Sequence, residues 1–267
     1  YPRDGDGTRL DEYNAPGSLS ESGTTMTVLK NGVENLRDNK GAIYVFSAGN
    51  YYRTSSNETC GTTGLACTET TIDSRKNQPY TITVAALDAD SIKTSYSSPG
   101  ASIWVSGFGG EYGWNNEHLN SQGYADQSSP SIETAMMTTD QSGCSIGYVG
   151  ANASINYEIN AFNDHDGDHP ENPDCNYTSG FNGTSSSAPT VSGVIALMLE
   201  ANPNLTWRDI KHILAQTSNK TDPDRSYDQQ GVNQYSWIEN SAGYEHHKWY
   251  GFGKIDAAEA VTVAKNF

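Results

Sequence analysis

Residues 182–189 read Asn182-Gly183-Thr184-Ser185-Ser186-Ser187-Ala188-Pro189, and an apolar stretch follows at once. Ala188, Val191, Val194, Ile195, Ala196, Leu197, Met198 and Leu199 make it long enough for a buried helix, which Pro203 ends. A serine between a Gly-Thr turn and a helix start has physical consequences. The first N–H groups of a helix have no partner within it, and the helix dipole favours negative charge there. The N–H of Ser185 can therefore join a set of donors that holds an oxyanion. Small residues at 186–188 let another backbone approach, and Pro189 is expected within the first helical turn. The stretch is not a Gly-x-Ser-x-Gly elbow, because position 187 is Ser.

Working outward, residues 42–46 (Ala-Ile-Tyr-Val-Phe) read as a strand buried on both faces, stopped sharply by Ser47-Ala48-Gly49-Asn50. Met26, Val28, Leu29, Val33 and Leu36 give helical spacing over 25–37, closed by Asn39-Lys40-Gly41. Residues 80–86 (Tyr-Thr-Ile-Thr-Val-Ala-Ala) form a second buried strand and 103–105 a third. Residues 1–23 and the cysteine-bearing stretch to about 77 are loops. Residues 111–183 read as irregular, with short strands at most around 132–137. Thr206-Trp207-Arg208-Asp209 is a capping box opening a helix through 216, residues 217–250 are loop, and Asp256 opens a last helix. Alternating helices and continuous apolar strands predict one α/β domain over 1–267, a layered sandwich on a parallel central sheet.

Acidic residues outnumber basic ones 32 to 16, a net charge of −16 that repels nucleic-acid phosphate and anionic lipid. Such a surface suits a basic peptide substrate or bound cations, and equally keeps a secreted protein in solution. No apolar run is long enough to span a membrane. The chain opens on Tyr1 rather than Met, as expected of a cut or trimmed polypeptide. Cys60, Cys67, Cys144 and Cys175 permit three pairings; short loops favour Cys60–Cys67 and Cys144–Cys175, in an oxidising, secreted or periplasmic setting. Asp164-His165-Asp166-Gly167-Asp168 alternates oxygen ligands around a glycine, which predicts a structural Ca²⁺ on Asp164, Asp166 and Asp168.

Gly183-Thr184-Ser185-Ser186-Ser187-Ala188-Pro189 resembles the serine motif of the subtilisin-like serine proteases at every defining position, closest to the kexin/furin-like branch. The helix pair through Trp207-Arg208-Asp209, the closing Tyr250-Gly251-Phe252-Gly253-Lys254-Ile255-Asp256-Ala257, and Ile43 through Asn50 are similar to that branch too. The resemblance implies a subtilisin-like fold, a serine endopeptidase acting on proteins and peptides, Ser185 as nucleophile and Asn50 as side-chain oxyanion donor. It implies that the catalytic aspartate and histidine segments lie upstream, since none of the six histidines precedes Gly-Thr, so this chain is the C-terminal two-thirds of a catalytic domain. It places Ser47, Ala48 and Gly49 along the substrate. Asp73, and Asp4 within Pro2-Arg3-Asp4-Gly5-Asp6-Gly7, fall where the branch has acids for the residue before the cut bond, and Asp11 where it has one for a more distal residue. These imply a preference for Arg or Lys at P1. Ser98 stands where the branch has a calcium-binding Glu, which puts that calcium in doubt. Two other readings share the pattern. A sedolisin-type carboxyl peptidase also carries Gly-Thr-Ser but has Asp in place of Asn50; a catalytically inactive binding module fits the missing aspartate and histidine but not the retention of both Ser185 and Asn50.

Overall fold

The computed structural model describes residues 23–52, 69–115, 134–149, 159–164, 166–223 and 236–267. Asp4, Asp11, Cys60 and Cys67 lie outside the described residues.

Three parallel strands carry the sheet: β1 (Tyr44–Ser47), β2 (Thr81–Leu87) and β3 (Ile103–Phe108), in the order β1-β2-β3. Val45 stands opposite Ile82 and Val84 opposite Val105. Every residue of β2 is buried, as its continuous β-branched and small residues require of a central strand. Among the described residues β1 is an edge strand, and all four of its residues are only half-buried. The free edge of β3 is covered by residues 252–255: Phe252 N–H donates to Trp104 O and Ile255 N–H to Ser106 O.

Helices α1 (Gly23–Asn35), α2 (Thr184–Ala201), α3 (Trp207–Thr217) and α4 (Ala257–Asn266) complete the α/β frame. Val191, Val194, Ile195 and Met198 of α2 pack on Ile82, Val84 and Val105, with Ile210, Ile213 and Leu214 of α3 and Ala260 and Ala264 of α4 in the same cluster. Burying a Val, Leu, Ile or Met side chain stabilises the fold by about 1.5–3 kcal/mol each, so this cluster fixes α2, and with it the start of the serine motif, against the sheet. The expected capping box is present: Thr206 Oγ1 accepts from Asp209 N–H, and the Asp209 carboxylate accepts from Thr206 N–H.

The structure departs from the sequence reading in four places. Residues 88–102, between β2 and β3, hold no helix, so strict alternation fails there. Residues 177–181 form a strand, β5 (Tyr177–Phe181), pairing antiparallel with β4 (Met136–Thr139) within the stretch read as irregular. The loop at 217–250 contains a short hairpin, β6 (Ile238–Glu239) with β7 (Glu245–His246). Pro189 lies past the first turn of α2, so the Ser185 carbonyl loses its i+4 donor. The expected Cys144–Cys175 disulfide is formed and joins the segments leading out of β4 and into β5.

Lys211 of α3 is buried, its Nζ donating to Pro79 O (2.7 Å) and Thr81 O (2.8 Å) and lying 3.8 Å above the Trp104 ring. Burial lowers its pKa from 10.5 to about 8. Between those values the unfolded chain binds the extra proton, so this group adds stability as pH rises from about 8 towards 10.5 and opposes folding below that window. In urea denaturation, the stability of the wild type relative to Lys211→Met is expected to rise between pH 7.5 and 10. An unchanged or falling difference contradicts the assignment.

Candidate active site

The end of β1 and the start of α2 meet through side chains 134 residues apart. After Ser47, Ala48 N–H still donates to Val84 O (2.8 Å), which keeps the chain in the sheet. Gly49 then takes φ 111°, a conformation that a side chain disfavours. This turn delivers Asn50 to the surface. Asn50 Oδ1 accepts from both the N–H (2.9 Å) and the Oγ1–H (2.8 Å) of Thr184. Thr184 Oγ1 in turn accepts from Gly49 N–H at 3.0 Å. Since a backbone N–H can only donate, these bonds fix which end of the Asn50 amide faces Thr184. The Nδ2 donor end is turned towards Gly183, 3.0 Å from where a Cβ at that position would sit. Gly183 has φ 104° as well, so a side chain there would be strained and would crowd the amide.

Ser98 braces Asn50 from behind. Its N–H donates to Gly49 O (2.9 Å), and its Oγ accepts from Tyr51 N–H (3.0 Å). Tyr96 does the same for the helix start: its hydroxyl accepts from Gly183 N–H (2.8 Å) and donates to the carbonyls of Gly109 and Gly110. Burial pushes the Tyr96 pKa well above the ordinary phenol value, so it stays a neutral donor. Thr184, Tyr96 and Ser98 were not singled out for these roles by sequence reasoning. Thr184 alone had a visible signal, as the residue before the serine.

Among the three successive serines, the fold distinguishes one. Ser186 and Ser187 are buried, and Ser187 Oγ donates to Thr184 O (2.9 Å). Ser185 is exposed at the second position of α2, and its N–H has no partner among the described residues. An exposed hydroxyl, an unpaired helix N-terminal N–H and an oriented carboxamide thus lie together. That arrangement can stabilise a negative oxygen next to a nucleophile. None of the described histidines (169, 212, 246 and 247) hydrogen-bonds Ser185. His246 Nε2 is held at Ile103 O (2.9 Å), and His212 packs against Tyr244 and Phe267.

Asp73 is buried. Its carboxylate receives Arg75 through Nε (3.0 Å) and Nη2 (2.8 Å), the Arg75 N–H (3.0 Å), and Lys76 Nζ (3.3 Å). Burial works to raise its pKa, but the Arg75 hydrogen bonds and the Lys76 charge hold it below the ordinary value. Lys76 Nζ also donates to Ala48 O (3.3 Å), linking this cluster to the segment that leads into Asn50. Asp164, Asp166 and Asp168 lie in one short segment before Cys175. Asp164 Oδ1 accepts from Asp166 N–H (2.9 Å), closing a local turn, and no group of three or more His, Cys, Asp or Glu among the described residues is placed to hold a metal ion.

The profile of the subtilase family (Peptidase_S8) matches residues 10–235. The Aeromonas extracellular serine protease of Aeromonas sobria is 31 % identical over 246 residues, covering 85 % of this chain and 35 % of that protein. Protease KEX1 of Kluyveromyces lactis is 29 % identical over 265 residues, covering 96 % of this chain and 25 % of its own length. The crystal structure of the Aeromonas sobria serine protease superposes with a TM-score of 0.73 at 28 % identity, over 94 % of this chain and 41 % of that one. The fold is subtilisin-like, and the chain spans about a third of these relatives' lengths.

If Thr184 aims the Asn50 amide, Thr184→Val should slow labelling of Ser185 by a fluorophosphonate about tenfold, the weight of one hydrogen bond. Thr184→Ser, which keeps the hydroxyl, should stay within about threefold on the same scale. A time course of labelling in the complete polypeptide measures both, and equal rates for wild type and the valine variant contradict the role.

Proposed function

The chain belongs to the subtilase family, and on that premise we propose that it is the nucleophile-bearing part of a secreted serine endopeptidase that hydrolyses peptide bonds in proteins. The observation carrying this reading is the Asn50 amide, oriented by Thr184 beside an exposed Ser185 at a helix N-terminus. Ser185 Oγ attacks the peptide carbonyl carbon and gives its proton to a histidine. The carbonyl oxygen becomes an oxyanion and receives Asn50 Nδ2–H and Ser185 N–H. The intermediate collapses, the amine leaves with the proton from the histidine, and water releases the acyl group by the reverse sequence.

The histidine and its orienting aspartate belong, in this proposal, to the segment preceding this chain. The strand β1 supports that placement, since its residues, Val45 and Phe46 included, are only half-buried. Secretion is supported by the Cys144–Cys175 disulfide and by the extracellular relative from Aeromonas sobria. No helix among the described residues is long and apolar enough to cross a membrane. A preference for Arg or Lys before the cut bond is supported by the net charge of −16 and by the buried acid Asp73, linked through Lys76 to Ala48 O.

In the complete enzyme, Ser185→Ala should abolish hydrolysis of an unfolded protein substrate. Asn50→Ala should lower kcat by roughly 10²–10³ with KM little changed, as expected for a donor engaged mainly in the transition state. Steady-state kinetics on purified variants provide the check. Full activity without Ser185 would sink the proposal.

A further inference from the structure

The Asp73 carboxylate offers about four acceptor positions, and the chain itself fills them. Oδ1 takes the Arg75 N–H and Nε–H, while Oδ2 takes Arg75 Nη2 and Lys76 Nζ. The Arg75 contact is the bidentate fork with which a guanidinium from a substrate would bind. The members differ in burial: side-chain exposure is 4 % for Asp73 and 7 % for Lys76 but 24 % for Arg75. Arg75 is thus the solvent-facing partner, and Lys76 is the inner one, tied to Ala48 O.

Ala48 lies two residues before Asn50. Lys76 ties the Asp73 cluster to Ala48 O, and on the endopeptidase reading the side chain of the residue owning the attacked carbonyl would lie along 47–49, towards that cluster. We propose that Arg75 is a specificity-determining residue, a built-in occupant of Asp73 that a substrate Arg or Lys must displace. This rests on the serine endopeptidase reading above. Exchanging one guanidinium for another leaves the number of contacts at Asp73 unchanged. Arg75, only two residues away along the chain, has already met most of the entropy cost of its pairing, whereas a substrate side chain has not. Occupancy by Arg75 therefore makes the native preference for a basic residue before the cut bond weaker than an open Asp73 would give. Removing the Arg75 fork exposes a buried carboxylate with vacant acceptors and sharpens the preference for a base.

The test compares kcat/KM for two peptides differing only in Arg or Leu before the cut bond, using the complete enzyme. The Arg-to-Leu ratio is expected to rise about tenfold in Arg75→Ala, the weight of one charge-assisted hydrogen bond. It should fall back on adding Asp73→Asn. Arg75→Met, which keeps an unbranched side chain but no donor for Asp73, reads out the same ratio should the alanine variant fail to fold. A ratio within twofold of wild type in the folded variants overturns the proposal while leaving Ser185-dependent hydrolysis intact. Absence of Ser185-dependent hydrolysis of either peptide by the wild type overturns instead the reading on which it rests, and the proposal with it.

Discussion

Two hydrogen bonds from Thr184 to Asn50 Oδ1 join the end of a sheet strand to the beginning of a helix, and the rest of the site depends on that joint. The N–H of Thr184 is one of the helix-terminal donors that would otherwise be unpaired. By spending it on Asn50, the chain satisfies the helix start and turns the other end of the amide outward. Gly49 and Gly183 permit the approach, since both occupy backbone conformations that side chains disfavour. Tyr96 and Ser98 hold the two flanks in place. The apolar cluster on β2 and β3 supplies rigidity, because α2 cannot rotate without losing Val191 and Met198 from it.

Charge is organised as tightly as the hydrogen bonds. Asp73 is buried, yet the chain compensates it with Arg75 and Lys76 within three residues. A lone buried carboxylate would be costly or would take up a proton. The same compensation couples the carboxylate to Ala48 O through Lys76, so the electrostatics behind the site and the position of its wall are not independent.

Strand β2 and helix α2 were legible because their apolar runs have no other stable destination than a buried core. Ser185 and Asn50 were legible because each ends or begins such an element, and a polar residue at that junction is conspicuous. Tyr96 was not: one of 16 tyrosines, it acquires meaning only when the fold brings Gly183 to its hydroxyl. Ser98 stands where the resemblance puts a glutamate, yet its N–H and hydroxyl hold Gly49 and Tyr51 on either side of Asn50. Strand β5 hid in Tyr-Thr-Ser-Gly-Phe, which has little apolar alternation and is a strand because β4 pairs with it. Likewise, Arg75 and Lys76 stand beside Asp73 in sequence, but side-chain direction decides that both turn back onto it.

The account places the oxyanion between Asn50 Nδ2 and Ser185 N–H. The most direct test is a crystal structure of the complete enzyme with a peptidyl boronate bound to Ser185 Oγ, whose tetrahedral oxygen stands in for the oxyanion. The predicted result has that oxygen within about 2.7–3.1 Å of both donors, with Asn50 Oδ1 still accepting from Thr184. A bound adduct whose oxygen points away from Asn50, or an Asn50 amide rotated off Thr184, would contradict it.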